Sequence, residues 1–470
     1  MFPFDHPREE CGVVGAYIPN AEASRVAFFG LFALQHRGQE SAGIAAADGQ
    51  TLNVHTDMGL VTQIFRERDF LPLSGEFAIG HTRYSTTGTS QLCNAQPLVV
   101  QGLAGKLALA HNGNIINASQ LKKQLKEQWD CAFNTTTDSE VIAYLMVNAP
   151  GNSWEERVFH CMRTLDGAFS LVAMTEDTVI AARDPLGIRP LCLGRLSGGW
   201  IVASETCALD HLGAEFVRDV QPGEVVIFDR QGMRSAVRQE PERSRAMCIF
   251  EHIYFARPDS VLDGTLVYTA RQRMGAQLAK EHPVEADLVI GIPDSSTAAA
   301  VGYARESGIP YSDGLIKNRY VGRTFIEPEQ RLRDLGVRQK FNPLPDVIRG
   351  QRLVVVDDSI VRGTTTPHVI KVLKRAGARE IHIRVCAPPI KFPCYMGVDM
   401  ADQDELIAAN KTVEEIRELA GADSLGFLSI EGLLKVSNGE HDGFCDACFT
   451  GNYPVPVQLQ LGKLVLESDN

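Results

Sequence analysis

The most constraining feature of this chain is the stretch LVVVDDSIVRGTTT at positions 353–366. Positions 353–356 form an unbroken apolar run, which is typical of a strand buried on both faces of a parallel sheet. Asp357 and Asp358 end the run, and a loop of small residues then leads into a helical pattern that stops at Gly377. This order of strand, loop and helix predicts a phosphate-binding cradle, because backbone N–H groups and the helix dipole converge on an anion.

The paired aspartates suit either ribose hydroxyls or Mg²⁺, which takes oxygen ligands. The segment is not a Walker loop, since no Gly-Lys-Ser/Thr follows, and the alternative is a buried strand with a solvated acidic turn. It resembles the phosphoribosyl-pyrophosphate loop of type I phosphoribosyltransferases. That resemblance implies a magnesium site at Ser295, Asp357 and Asp358, and a 5′-phosphate site formed by Ser359, Ile360, Val361, Arg362, Gly363, Thr364 and Thr365.

Charge and hydropathy exclude several classes of protein. The net charge of −12 argues against binding to nucleic acid. No apolar stretch approaches the ~20 residues of a membrane helix. The first residues have neither the basic start nor the apolar core of a secretory signal. We therefore expect a cytoplasmic protein whose eleven cysteines are catalytic, metal-binding or inert rather than paired in disulfides.

The two halves of the chain differ in their hydrophobic pattern. Short alternating runs separated by glycine turns predict an α+β domain with antiparallel sheets for residues 11–240. In residues 241–470, mainly apolar runs alternate with helical patterns; these runs are 288–293, 353–356 and 381–385. This alternation predicts an α/β domain with a parallel sheet, whose ligands bind at the carboxyl ends of the strands.

Cys11 lies near the start of the chain and is followed by Gly12. If the preceding residues were removed, its α-amine, which titrates near pH ~8, could act as the base for its own thiol. Taken alone, such a cysteine is more often a small buried apolar residue.

Four further segments resemble, in sequence and order, the glutamine amidotransferases of the N-terminal-nucleophile type: LQHRGQESAG (34–43), HTRYST (81–86), HNGNI (111–115) and TDSE (137–140). The resemblance implies the αββα fold of that family. It implies that Cys11 attacks the side-chain amide of glutamine, while Asn112 and the backbone N–H of Gly113 form the oxyanion hole. Arg83 would hold the substrate carboxylate and Asp138 its ammonium group. His36 and Arg37 are interpreted as bracing the fold.

Ten residues precede Cys11, so the chain as written has no free cysteine amine. The family includes members made with a short propeptide that is removed to expose the cysteine. The resemblance therefore implies that residues 1–10 are a propeptide.

Two more segments of the second half support the phosphate loop. GIPDSS at 291–296 places Asp294, Ser295 and Ser296 at the carboxyl end of a predicted strand, where the hydroxyls could face pyrophosphate or bind magnesium. KNRYVGRTFI places Lys317, Arg319 and Arg323 around a glycine, where a closing loop could cover pyrophosphate and exclude water. A solvated basic surface is the alternative interpretation of that segment.

Together, the segments of both halves resemble the glutamine phosphoribosylpyrophosphate amidotransferases, in the same order and over nearly the whole chain. The resemblance implies that glutamine hydrolysis supplies ammonia, which replaces pyrophosphate at C1 of phosphoribosyl pyrophosphate. The product, 5-phosphoribosylamine, begins de novo purine synthesis. Purine nucleotides are implied as feedback inhibitors, and a homo-oligomer, either dimer or tetramer, is implied as the assembly. One alternative is a hexosamine-forming amidotransferase, which would lack these transferase segments. The other is a non-catalytic nucleotide sensor, which would be expected to lack the nucleophile or the acidic pair.

Cys445 and Cys448 form a Cys-x-x-Cys pair, while Cys248 and Cys394 stand apart in sequence. Spacing alone leaves a zinc site or inert thiols as alternatives. The propeptide-bearing members of the family carry a [4Fe–4S] cluster, and the resemblance implies these four cysteines as its ligands. The remaining cysteines are interpreted as core or surface thiols.

Overall fold

The computed structural model describes residues 10–84, 89–238, 245–318, 341–400, 403–437 and 443–457. Within those ranges, no helix is both long and apolar enough to cross a membrane. Strands are numbered below in chain order, and helices are named by their bounds.

Two antiparallel sheets form the first half. Their strands are β1 (Gly12–Tyr17), β2 (Ser41–Ala47), β3 (Leu52–Met58), β4 (Phe77–Arg83), β5 (Leu98–Gly102), β6 (Gly105–Ile115), β7 (Gly167–Met174), β8 (Val179–Arg183), β9 (Cys192–Leu196), β10 (Gly199–Ala203), β11 (Glu215–Asp219), β12 (Glu224–Asp229) and β13 (Gly232–Val237). One sheet has the order β11-β9-β10-β1-β4-β2-β3, and the other has the order β13-β12-β8-β7-β6-β5.

The two sheets are stacked, with helices on both outer faces. Val13 and Ile79 of one sheet and Val172 and Val226 of the other share the core between them. The outer layers consist of helices Ala23–Ala33 and Thr206–Leu212 on the first sheet, and Ala118–Trp129, Asp138–Asn148 and Trp154–Thr164 on the second. Shorter helices are Val61–Ile64, Glu67–Phe70 and Leu92–Asn94. The αββα fold and its antiparallel sheets confirm the prediction.

Both faces of these strands are therefore buried, which explains their composition. In β1, Val13 packs between the sheets while its neighbour Val14 packs under the helices. Successive side chains of a strand point to opposite faces, so a strand covered on both faces needs an apolar or small residue at each position. The sequence GVVGAY meets that need.

A parallel sheet forms the centre of the second half, as predicted. Its strands are β17 (Leu288–Gly291), β20 (Arg352–Asp357), β21 (Glu380–Val385) and β22 (Ser424–Phe427), in the order β17-β20-β21-β22. Helices Val267–Glu281, Thr297–Ser307 and Ile430–Val436 cover one face, and helices Thr365–Arg375 and Val413–Ala420 cover the other. The helix predicted after the acidic pair ends near Gly377, whose φ of +101° favours glycine.

Short elements complete the second half. The strands are β14 (Met247–Cys248), β15 (Val261–Leu262), β16 (Thr265–Leu266), β18 (Leu315–Lys317), β19 (Phe341–Pro343) and β23 (Phe444–Cys445). The short helices are Glu251–Phe255, Pro345–Ile348, Gln403–Glu405, Ile407–Asn410 and Ala447–Thr450. Strand β14 pairs in parallel with β23, which joins the beginning of the second half to the C-terminal region.

Candidate active sites

The Cys11 thiol directly precedes β1 and is only 8% exposed. Its Sγ donates to the Tyr84 carbonyl at 3.3 Å. Burial raises the pKa of this thiol to about 11, although the nearby Arg83 guanidinium lowers it. A thiol in this state is protonated at neutral pH and needs a base before it can act as a nucleophile.

The predicted oxyanion residues lie in β6. Asn112 is 1% exposed, and its side-chain nitrogen has no hydrogen-bond partner within the part of the chain that the structure describes. A buried, unpaired amide donor is costly, so a ligand oxygen at this position would be stabilised. Gly113 has a φ of +147°, and a Cβ there would lie 2.0 Å from the Ala168 carbonyl oxygen, so only glycine fits.

Arg83 and Asp138 approach Cys11 from different elements. Arg83 ends β4, is 2% exposed, and donates from Nη1 to the Thr89 carbonyl at 3.2 Å. Asp138 begins helix Asp138–Asn148, and its Oδ2 accepts from the Ile115 N–H at 2.9 Å. The charges of Arg83, Glu40 and Asp138 all shift the pKa of Cys11, so one cationic and two anionic groups lie near the thiol. Glu40 Oε2 lies 3.6 Å from Arg83 Nη1.

A buried network holding Asp138 was not predicted. The Ser139 hydroxyl accepts from Gln96 Nε2 at 3.0 Å, contacts His111 Nδ1 at 3.1 Å and donates to Asp138 Oδ1 at 3.4 Å. Because a hydroxyl has one hydrogen, His111 must donate from Nδ1. Burial lowers the pKa of His111, which keeps the ring neutral. Gln96 also accepts from the His111 backbone N–H at 2.8 Å, so it ties this network to the strand that carries Asn112.

A second buried group surrounds the backbone of the nucleophile. Arg37 donates from Nε to the Cys11 carbonyl at 3.1 Å, and its other nitrogens contact Glu10, Glu205 and Glu251 at 2.9, 2.6 and 2.8 Å. Arg189 forms a close ion pair with Glu10. The bracing interpretation of His36 and Arg37 fits these contacts, since His36 also contacts Glu205, at 2.7 Å. No sequence pattern predicted that Glu10 is buried or that Arg189 forms an ion pair with it.

The acidic pair of the second half lies where β20 ends. Asp357 and Asp358 are each 2% exposed. Ser359 donates to Asp358 Oδ1 at 2.7 Å, and Ser296 donates to Asp357 Oδ1 at 3.3 Å. Ser296 follows the neighbouring parallel strand β17, whose carboxyl end meets the same edge of the sheet. Ser295, which the resemblance implies as a magnesium ligand, is half-buried in the same loop one position earlier.

The loop after the acidic pair has two kinds of side chain. Ile360 and Val361 are buried in the cores on the two faces of the sheet, so only their backbone could face a phosphate. Arg362 donates from Nε to Glu405 at 2.7 Å, so its guanidinium is already engaged by a carboxylate. Gly363 has a φ of +69°, and a Cβ there would lie 2.3 Å from a side-chain carbon of Ile407. Thr365 begins helix Thr365–Arg375, and Thr364 is the residue directly before it.

The predicted basic segment is described only in part. Lys317 ends β18, and its Nζ lies 2.9 Å from Asp294 Oδ2 in the loop that contains Ser295. This contact brings Lys317 to the edge of the sheet where the acidic pair lies. Arg319 and Arg323 lie outside the described residues.

The donor atoms at this edge are of the type that Mg²⁺ prefers, but they are too few to hold the ion by themselves. Carboxylate and hydroxyl oxygens are the ligands it prefers, and it usually binds through one or two carboxylates together with substrate phosphates. Within the described ranges, no group of three or more His, Cys, Asp or Glu side chains is placed to hold a metal ion by itself. The residues present therefore fit an ion that is shared with a phosphorylated substrate.

Four cysteines line one apolar cavity: Cys248, Cys394, Cys445 and Cys448. The pairing of β14 with β23 sets Cys248 opposite Cys445. Burial, reinforced by the neighbouring thiols, raises the pKa of Cys248 to about 12, while the Arg189 guanidinium lowers it. The Met396 N–H donates to Cys394 Sγ at 3.4 Å. Four sulfurs, an apolar wall and an N–H donor are the chemical groups that surround an iron–sulfur cluster. As the described residues stand, however, the four thiols are not grouped closely enough to hold a metal ion.

All eleven cysteines are free. Of those outside the two candidate sites, Cys161, Cys192, Cys207 and Cys386 are buried, Cys131 is half-buried and Cys93 is exposed. They match the predicted core and surface thiols.

Comparison with known proteins finds a family match in each half of the chain. A family model of the glutamine amidotransferase domain matches residues 81–211, and one of the phosphoribosyl transferase domain matches residues 259–392. An amidophosphoribosyltransferase of Synechocystis sp. is 50% identical over 471 residues, covering 99% of this chain and 95% of that protein. The chain belongs to the amidophosphoribosyltransferase family. A member from Archaeoglobus fulgidus is 51% identical, with 95% of this chain and 98% of that protein covered.

Solved structures of the amidophosphoribosyltransferase family have the same fold. One, described as the allosteric regulatory enzyme of purine biosynthesis, has a TM-score of 0.90 at 47% identity, with 96% of this chain and 97% of that chain covered. A glutamine phosphoribosylpyrophosphate amidotransferase from Bacillus subtilis, complexed with ADP and GMP, also has a TM-score of 0.90, at 46% identity, with 97% and 99% covered.

Proposed function

We propose that this chain forms 5-phosphoribosylamine, the first committed product of de novo purine synthesis. Glutamine is hydrolysed in the first half, and the ammonia replaces pyrophosphate at C1 of phosphoribosyl pyrophosphate in the second half. The observation that carries the proposal is the Asn112 amide, buried and unpartnered among the described residues, in the same half as a buried Cys11 thiol. Membership of the amidophosphoribosyltransferase family supports both half-reactions.

The glutamine half-reaction needs a nucleophile, a base and an oxyanion hole. Cys11 Sγ attacks the side-chain amide carbon while its proton moves to the α-amine of Cys11. The oxyanion accepts from Asn112 Nδ2 and from the Gly113 N–H. When the intermediate collapses, the α-ammonium group gives its proton to the departing nitrogen and ammonia leaves. Water then hydrolyses the thioester to release glutamate and the thiol.

Recognition of glutamine depends on its two opposite charges. Arg83 binds the α-carboxylate, for which a guanidinium offers two parallel donors. Asp138 binds the α-ammonium group. The placement of both charges beside the Cys11 thiol supports these roles.

Removal of residues 1–10 supplies the base. The thiol has a pKa of about 11 because it is buried, so it cannot ionise by itself at neutral pH. An α-amine, which titrates near pH ~8, can take its proton. We therefore expect the active chain to begin at Cys11, with the glutaminase domain at 11–240 and the transferase domain at 241–470.

In the second half, Asp357 and Asp358 bind the ribose hydroxyls and, with Ser295, a Mg²⁺ ion. When bound there, the ion would supply positive charge that favours pyrophosphate as a leaving group. The backbone of residues 359–365 binds the 5′-phosphate, supported by its position between a buried strand and a helix N-terminus. Lys317, Arg319 and Arg323 stabilise the pyrophosphate.

The four cysteines around the apolar cavity hold a [4Fe–4S] cluster. When bound, the cluster would join the start of the second domain to its C-terminal region through these four thiolates. Free energy of metal binding then stabilises the folded chain.

Regulation and assembly follow the family. The Bacillus subtilis relative was solved with ADP and GMP, which supports purine nucleotides as feedback inhibitors of this chain. We further propose a homo-oligomer, dimer or tetramer, that acts in the cytoplasm.

A thiol deletion tests this division of labour. Cys11→Ala should abolish synthesis from glutamine but retain synthesis from added ammonia, measured as pyrophosphate release. Cys93→Ala, at an exposed thiol, is the matched control and should retain both activities. Simultaneous loss of both activities in Cys11→Ala would contradict two separate sites. An active protein that still carries residues 1–10 by intact mass would rule out the α-amine as the base.

A further inference from the structure

We propose that a loop of the second half, residues 394–400, positions the oxyanion hole of the first half. The inference rests on the glutaminase role proposed above. Asn114, two residues after Asn112, donates from Nδ2 to the Tyr395 carbonyl at 2.9 Å. Gly397 packs on Gly113 so closely that a Cβ at position 397 would lie 2.9 Å from the carbonyl carbon of Gly113. The loop therefore contacts β6 at Gly113, whose N–H is proposed to stabilise the oxyanion, and at the next residue, Asn114.

The loop is itself held firmly. Its ends are joined because the Cys394 N–H donates to the Met400 carbonyl at 2.8 Å. Arg189 donates from Nε to the Met396 carbonyl at 3.1 Å. Met396, Val398 and Met400 are 2–3% exposed and line the four-cysteine cavity. A loop fixed in this way can serve as a support rather than follow the strand.

Gly113 is in close contact with two other backbone segments. The Ala168 carbonyl of β7 leaves no room for a side chain at position 113. Gly397 packs against the Cα and the carbonyl carbon of Gly113. Displacement of the loop would therefore shift the backbone of Gly113, because closely packed atoms transmit such a movement. An oxyanion donor acts only within a narrow range of distances, and an error of about 1 Å can cost about 100-fold in rate.

The same loop connects two sites that the sequence places far apart. Cys394, which lines the apolar cavity, directly precedes Tyr395, whose carbonyl binds Asn114. The four-cysteine cavity and the glutamine site thus share one rigid segment.

Substitution of Gly397 by alanine tests the contact. The new Cβ would lie 2.9 Å from Gly113 and 2.8 Å from an Arg189 nitrogen, and the φ of +104° disfavours alanine. We expect kcat for glutamine hydrolysis to fall about 10- to 100-fold while KM for glutamine changes less than about twofold, because Arg83 and Asp138 remain in place. Synthesis from ammonia should be retained. Asn114→Ala should have the same pattern with a smaller loss, and provides a second test if Gly397→Ala folds poorly.

Gly451→Ala is the matched control. Gly451 also has a positive φ, of +79°, and follows the helix that carries Cys448, but a Cβ there would meet the Phe392 ring. This variant should keep the wild-type ratio of glutamine-dependent to ammonia-dependent synthesis. Iron content and thermal unfolding should be measured for all variants. A wild-type ratio in both Gly397→Ala and Asn114→Ala, or an equal loss in Gly451→Ala, would overturn the inference. Failure of the wild-type protein to use ammonia would instead contradict the proposed function.

Discussion

Ser139 allows the first site to be perturbed without altering any proposed substrate contact. Its hydroxyl takes part in three buried hydrogen bonds, with Gln96, His111 and Asp138. Ser139→Ala removes one oxygen and leaves the backbone of helix Asp138–Asn148 unchanged. Ser24 is the matched control, because it is also a buried helical serine but its hydroxyl has no partner among the described residues.

The magnitude follows from the groups left without a partner. Gln96 Nε2 and His111 Nδ1 each lose the oxygen to which they donate, and an unsatisfied buried donor costs about 1–2 kcal/mol. The free energy of unfolding should therefore fall by about 2–4 kcal/mol, which corresponds to a decrease of about 5–10 °C in Tm for a domain of this size. Asp138 loses one donor but keeps the Ile115 N–H, so KM for glutamine should rise about 5-fold, equivalent to about 1 kcal/mol.

Thermal unfolding and steady-state kinetics would measure both effects. Ser24→Ala should leave the Tm and the KM for glutamine close to the wild-type values, and both variants should retain synthesis from ammonia. If Ser139→Ala is as stable as Ser24→Ala and binds glutamine equally well, the hydrogen bonds assigned to this hydroxyl do not hold Asp138.

Three further outcomes are expected. Asp357→Asn with Asp358→Asn should remove synthesis from glutamine and from ammonia, measured as pyrophosphate release, and substantial activity with ammonia would contradict the ribose and magnesium roles. Cys445→Ser should lower the Tm and the iron content of anaerobically purified protein, whereas Cys93→Ser should not; equal iron contents would count against the cluster. Burial lowers the pKa of His81 to about 3, so the unfolded chain takes up this proton near pH ~6.5 and the folded chain resists it. Between pH 6.5 and pH 5, the free energy of unfolding should therefore fall by about 2 kcal/mol more in the wild-type protein than in His81→Gln. Equal losses in the two proteins would refute this assignment.

Sequence patterns predicted those parts of the structure that are determined by residues adjacent in the sequence. The apolar run before Asp357 became a strand buried on both faces because every residue in it is apolar, and Gly377 ended the following helix because of its positive φ. The short motif at 111–115 identified Asn112 and Gly113 as candidate residues, but it did not predict that both lie in β6.

Contacts between distant segments were not predictable in this way. Gln96 reaches Ser139 across 43 residues, and Asn114 reaches Tyr395 across 281. Such pairs depend on how sheets stack and domains dock, and no residue in them has a pattern that distinguishes it from other polar residues. The engagement of Arg362 by Glu405 is similar, since the sequence indicated a loop near phosphate but not the direction of each side chain in it.

The burial of Glu10 affects the charge balance around the nucleophile. With this residue present, three carboxylates (Glu10, Glu205 and Glu251) surround two guanidinium groups, so negative charge is in excess by one. A cut before Cys11 would remove one carboxylate, leave the guanidinium groups of Arg37 and Arg189 balanced by two, and create an α-amine close to Arg37. The two guanidinium groups disfavour a further positive charge on the new α-amine, and the Glu10 carboxylate that would have favoured it is gone. One cleavage would therefore both create the base and remove the charge that favours its protonated form.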